Sequence, residues 1–211
     1  LTMARIQGVQ AEIIKNLYKK ALEKKGHSFF DHKSKSYNLN IIGVRADINF
    51  TNLFDDSIVV IYRNTLGHWI VDSYEATTDP GKDSLARPLS KSGCAILVPG
   101  QYRSTYKLDM HGGKYLALCQ RGGKVKVYRD NNRNKKYELN KNSIEEGMFG
   151  INIHRSKRSG DTKYVNSHSA GCQVFKNAKD YYEFLDTCQT AADRFKNSFT
   201  YTLINEEDLD V

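Results

Sequence analysis

Apolar residues recur along residues 4–25 at the spacing of one helical face. Ile6, Val9, Ile13, Leu17 and Ala21 form the stripe, and Ile14, Tyr18 and Leu22 widen it. The pattern predicts an amphipathic helix stopped by Gly26, its apolar face packed on the rest of the protein. After a polar stretch from Phe30 to Ser36, the period changes to that of strands. Leu39, Ile41, Ile42 and Val44 predict the first. Ile58 to Tyr62 and His68 to Val71 flank Asn64-Thr-Leu-Gly67, the signature of a hairpin. Further strands are expected at 94–98, 102–108, 115–120 and 124–128, with Gly112-Gly113 and Gly122-Gly123 as turns. Runs at 148–154 and 172–175 extend the series.

A second helix is expected over 178–195. Asn177 is placed to cap it and Asp180 falls in its first turn. Tyr181, Phe184, Leu185, Cys188, Ala192 and Phe195 give it one apolar face. Residues 199–204 read as a closing strand, and the acidic end from Glu206 to Val211 as a solvated tail. The expected class is therefore mainly β with flanking helices. The expected divisions are a helical segment over 1–36, a β-rich domain over 37–205 and the tail over 206–211.

Composition supports this picture. Thirteen Tyr, nine Phe and only three Pro favour strands, and 39% hydrophobic residues suit a folded core. A net charge of +8 suits an anionic partner. The basic residues are scattered and form no nucleic-acid-binding motif, so no nucleic acid is expected as a partner. No apolar run reaches the ~20 residues that cross a bilayer, so no membrane partner is expected either. Leu1 to Arg5 lead into a charged helical pattern rather than an apolar leader, so no secretory signal is expected. The pattern carries no signal of oligomeric state.

Four cysteines, Cys94, Cys119, Cys172 and Cys188, form no CxxC pair, and they are expected as free thiols. Three sit in apolar segments and read as small core residues. Cys172 lies among Ser, Gly and Gln instead. Asp130 to Asn134 opens like a calcium loop, but Lys135 and Lys141 stand where glycine and glutamate are needed, so it reads as a polar turn. No metal or cofactor is expected.

The chemistry concentrates in two segments, Gly150-Ile-Asn-Ile-His-Arg-Ser156 and Ser167-His-Ser-Ala-Gly-Cys-Gln-Val-Phe175. An apolar strand delivers His154, and a loop of small residues leads to Cys172. An imidazole near the sulfur could take its proton and create the nucleophilic thiolate. Gly171 allows close approach of the backbone to a substrate, and the amides of Gly171 and Cys172 are candidate oxyanion donors. Arg103, beside Tyr102, suits a substrate carboxylate. Arg155 and Ser169 flank the two key residues and complete the substrate-binding candidates. His111 precedes a Gly-Gly turn and is either a turn residue or a support for the site. Trp69 reads as core, and Asn152 and Asn166 as loop residues able to orient His154.

His154, its loop and Ser169-Ala-Gly-Cys172 resemble the active-site signature of the L,D-transpeptidase (YkuD-type) family. That signature is a histidine ending a strand, a loop, then Ser-His-Gly-Cys. Thr77-Thr-Asp-Pro-Gly81 resembles the family's upstream Thr-Pro-x-Gly turn, and the likeness follows overall order across residues 37–205. The His154 and Cys172 segments are also similar to proteins encoded by phages of Bacteroidetes-type hosts. The resemblance implies a β-sandwich-like catalytic domain. It implies that Cys172 attacks an amide of a peptidoglycan stem peptide and forms a thioester, with His154 as base. Water or a second amine would resolve the thioester, and wall degradation by hydrolysis is the expected outcome. The site of action would be the bacterial cell wall or a phage particle, after synthesis in the cytoplasm. The chain departs from the signature at Ala170, at Gln173-Val174 where arginine is usual two places on, and at Arg155 where glycine is common. His168 stands two places before Ala170 rather than at its position. A wall-binding or virion module with a weakened centre, and an unrelated thiol acyltransferase, are the alternatives.

Overall fold

The computed structural model describes residues 4–211. Leu1 to Met3, the start of the expected 1–36 helical segment, lie outside the described residues. Residues 4–6 are not helical. They form strand β1 (Ala4–Ile6), which pairs antiparallel with β4 (Trp69–Thr77). Arg5 there donates two hydrogen bonds to the buried carboxylate of Asp72, at 2.7 and 2.8 Å. That partner on the neighbouring strand explains why residues 4–6 join the sheet.

Helix α1 (Gly8–Lys24) follows. Its buried face is Ala11, Tyr18, Ala21 and Leu22, with Ile14 beside it. Val9 and Ile13 of the expected stripe are 77% and 63% exposed. The apolar arc is broad, and the position of the sheet selects one side of it.

That sheet contains β2 (Asn40–Arg45), β3 (Asp56–Arg63) and β4, and the expected hairpin joins the last two. Alternation along these strands feeds two cores. Ile42, Val44, Val59, Ile61, Trp69 and Val71 meet α1, while Ile41, Ile58, Val60 and Tyr74 face the opposite way. There they join Tyr181, Phe184 and Cys188 of α3 (Ala178–Arg194). Asn177 caps α3 as expected, accepting from the Asp180 amide at 3.0 Å. Phe195 of the expected face is exposed instead, just past the helix end.

The remaining strands of the large sheet are β6 (Gly100–His111), β7 (Tyr115–Gln120), β10 (Ile153–Arg155), β11 (Gln173–Phe175) and β12 (Phe199–Asn205). Nine strands run in the order β1-β4-β11-β10-β7-β6-β12-β2-β3, and β3 pairs back onto β4. Apart from the appended β1, the pairings thus form a closed circuit. A separate three-stranded sheet holds β5 (Cys94–Leu97), β8 (Val125–Asp130) and β9 (Glu145–Gly147). A short helix, α2 (Lys82–Ala86), precedes β5. The described residues are mainly β, with a large mixed sheet and three helices.

Two expectations need correction. The strand expected over 148–154 is reduced to Ile153–Arg155, with His154 at its centre. Gly150 has φ +66°, which breaks the extended path. Side chains replace the missing ladder. Gln120 Oε1 accepts from the Ile151 amide at 3.0 Å, and Asn152 Oδ1 accepts from the Gln120 amide at 2.9 Å. The acidic tail is docked rather than solvated. It forms a turn of 3-10 helix at Glu206–Leu209, with Asp208 paired to Lys25 at 2.7 Å and Leu209 against the α1 core.

Candidate active site

Strands β10 and β11 run parallel, with His154 opposite Val174 and Ile153 opposite Gln173. Cys172 immediately precedes β11, so it lies beside Asn152, two places before His154. The Gln173 amide donates to the Asn152 carbonyl at 2.9 Å and fixes this register. The loop expected to return Cys172 to His154 therefore does so through a parallel strand pair. Both residues line one groove of about 730 Å³, together with His111, Arg129, Phe149, His168 and Ala170.

Cys172 is partly buried. Its sulfur accepts from the Asn152 amide at 3.3 Å and lies 3.4 Å from the Gly150 carbonyl, to which its S–H donates. Burial pushes the thiol up to about 11. His154 is pushed down to about 3, first by burial and then by the neighbouring His111. Near pH 7 the resting pair is a neutral thiol and a neutral imidazole. No hydrogen bond joins Cys172 Sγ to His154 among the described residues.

The His154 tautomer follows from its partners. Nδ1 lies 2.7 Å from the Arg155 carbonyl, which can only accept, so Nδ1 carries the hydrogen. The Nε2 lone pair is then left for a proton from a thiol or a substrate. Tyr115 Oη, 3.1 Å from Nδ1 and 3.3 Å from the Arg155 carbonyl, closes this arrangement. The imidazole also stacks on His111, with ring centroids 4.1 Å apart and planes 25° apart.

The nucleophile loop is held from behind. Ser169 Oγ donates to the Cys172 carbonyl at 2.7 Å and accepts from the Gly171 amide at 3.2 Å. The Gly81 amide donates to the Ser169 carbonyl at 3.0 Å, so the Thr77–Gly81 turn lies against this loop. Gln173, fully buried, bridges the Thr78 and Gly171 carbonyls to the Tyr201 hydroxyl. Gly171 has φ +127°, and a Cβ there would come within 2.6 Å of the Ala95 carbonyl. Only glycine fits.

Several expected roles are relocated. The Gly171 amide is committed to Ser169, so it is not a free oxyanion donor. Ser169 is itself buried and ties the loop together rather than facing the groove. Tyr102 donates to the Val98 carbonyl at 2.6 Å, outside the groove. Arg103 donates to Ser28 Oγ at 2.8 Å and lies over Phe30 in a separate, smaller depression. Arg155 stacks on Tyr115 at 4.0 Å and serves the site through its carbonyl. His168 also lines the groove, on a segment, residues 166–172, that turns rather than running extended.

Tyr115 and Arg129 stand in the site without a local signal in the sequence, and His111 proves to be a support rather than only a turn residue. Strand pairing was the available signal. His111 faces Tyr115 across the Gly112-Gly113 turn, and β7 is the antiparallel neighbour of β10. One trio of described residues, Asp55, Asp56 and Asp79, brings carboxylate oxygens within 4.8 Å of one another. Arg45 Nε lies 2.9 Å from Asp79 Oδ1 and already supplies positive charge there. No family model, curated protein or solved structure matches the chain.

Proposed function

We propose that this chain is a peptidoglycan-acting cysteine peptidase or transpeptidase, with a catalytic domain of the L,D-transpeptidase kind. The observation that carries the reading is that Cys172 and His154 line one groove, with His154 Nδ1–H fixed on the Arg155 carbonyl. Cys172 passes its proton to His154 Nε2 and its sulfur attacks a stem-peptide amide carbon. The imidazolium then protonates the leaving amine, and a thioester remains. Water releases the acyl group in the hydrolytic outcome, which we favour. The groove carries hydroxyls from Ser90, Ser92 and Ser167 that can hold such a water. The setting would be the cell wall or a phage particle.

The test is mass spectrometry of purified peptidoglycan digested by the protein. Wild type should release shortened stem peptides, and Cys172→Ala should release none. Equal release by both proteins removes Cys172 from the chemistry.

A second reading is a wall-binding or virion structural module. The thiol raised to about 11 and the absent Cys172–His154 hydrogen bond favour it. It expects retention on peptidoglycan in a pull-down, with no product from wild type at any pH. Cys172-dependent release ends it.

A further inference from the structure

A thioester-forming site needs a donor for the oxygen that gains charge when the sulfur attacks. The Gly171 amide cannot serve, because Ser169 Oγ holds it. The Cys172 amide has no acceptor among the described residues and is free for this use. The groove offers a second donor, and a chain of hydrogen bonds defines it.

The chain starts at the Gln120 backbone, whose N–H can only donate. It donates to the Asn152 side chain at 2.9 Å, so that atom is the amide oxygen. The other end of the same amide is then the –NH₂ group. It donates to His111 Nδ1 at 2.9 Å. An Nδ1 that accepts carries no hydrogen, so the hydrogen of a neutral His111 sits on Nε2. No described residue accepts from Nε2. The ring lines the same groove as Cys172 and stacks on His154 at 4.1 Å. The two stacked imidazoles therefore hold opposite tautomers. His154 keeps its lone pair at Nε2 and His111 keeps its hydrogen there. One is built to take a proton and the other to donate a hydrogen bond.

We infer that His111 Nε2–H is an oxyanion donor of this site, acting together with the Cys172 amide. The inference rests on the proposed cysteine chemistry. Cys172 S–H loses its proton to His154 Nε2, the sulfur bonds to the carbonyl carbon, and the carbonyl π pair moves to oxygen. His111 Nε2–H and Cys172 N–H hold that oxygen. The C=O re-forms as the C–N bond breaks, and the proton on His154 goes to the leaving nitrogen. His111 neither gains nor loses a proton. Burial and the positive charges of Arg121, Lys114 and Arg155 keep its ring neutral, in agreement with this role.

The test compares two reactions of the same sulfur in wild type, His111→Ala and His111→Gln. Acylation by p-nitrophenyl acetate passes through an oxyanion. Alkylation by iodoacetamide displaces iodide and forms none. His111→Ala should slow acylation by about 100-fold, the range for one lost oxyanion donor. It should leave alkylation within about twofold. Glutamine places an amide N–H near the position of Nε2, and His111→Gln should recover most of the acylation rate. Unchanged acylation in His111→Ala, or an equal fall in both reactions, overturns the inference. A folded wild-type protein that the ester never acylates at Cys172 overturns it together with the cysteine chemistry. Stem peptides left intact, with His111-dependent acylation by the ester, remove only the peptidoglycan substrate.

Discussion

A neutral thiol beside a neutral imidazole gives Cys172 a distinctive response to pH. Burial disfavours the thiolate, so direct alkylation should climb about tenfold per pH unit from 7 to 10. Peptide mapping after iodoacetamide treatment measures this, and a flat profile above pH 7 contradicts it. His154 makes a second prediction, for stability. Its folded value, about 3, lies below its unfolded value near 6.5. Between these values the unfolded chain binds the extra proton, so the contribution of His154 is lost as pH falls from 6.5 toward 3. Asp56, raised to about 7 by burial and Asp79, acts in the opposite direction over its own range. The difference between wild type and His154→Asn isolates the histidine. Their urea midpoints should converge as pH drops from 7 to 5, and parallel curves would contradict this.

At the scale of elements, the site depends on turns as much as on strands. Gly81 packs so close to the Asn166 backbone that a Cβ would collide with its carbonyl. Gly81→Ala should cost about 1–3 kcal/mol by overpacking. It should also disturb the Gly81–Ser169 bond, and with it the acylation of Cys172. Denaturation curves and the ester assay check both parts. Asn177→Ala removes the α3 cap and should cost about 1 kcal/mol without altering Cys172 reactivity. These elements were unevenly legible in the sequence. Hairpin β3–β4, strands β5 to β8 and helix α3 follow from local periodicity, because their burial pattern is local. Residues 148–152 read as strand because the run is mostly apolar, while the Ile151 amide is bonded by the Gln120 side chain and the Asn152 amide by the Cys172 sulfur. The α1 face is ambiguous in the sequence because Val9 and Ile13 fit a helical stripe as well as Ala11 and Tyr18 do. Cys172 and His154 were visible as chemistry. The placements of Arg103 and Tyr102 were not, since those depend on which strands become neighbours.

In the whole molecule, the two cores share the sheet between them. Trp69 lies at the α1 interface, 3% exposed, with Arg63 over its ring at 4.4 Å. Trp69→Ala should cost about 3–5 kcal/mol, and loss of cooperative unfolding by circular dichroism would register it. No helix among the described residues is long and apolar enough to cross a membrane.

The closed circuit of strands also sets when Cys172 and His154 can come together. Strand β11 bridges β4 and β10, and its partner Thr77 was laid down long before Val174 in the order of synthesis. The early strands can pair on emergence, but the segment bearing the sulfur must be inserted between two strands already made. Such long-range pairing is slow to form. A nascent chain halted ahead of residue 172 has the imidazole but not the sulfur, so the proposed chemistry should begin only once β11 is made.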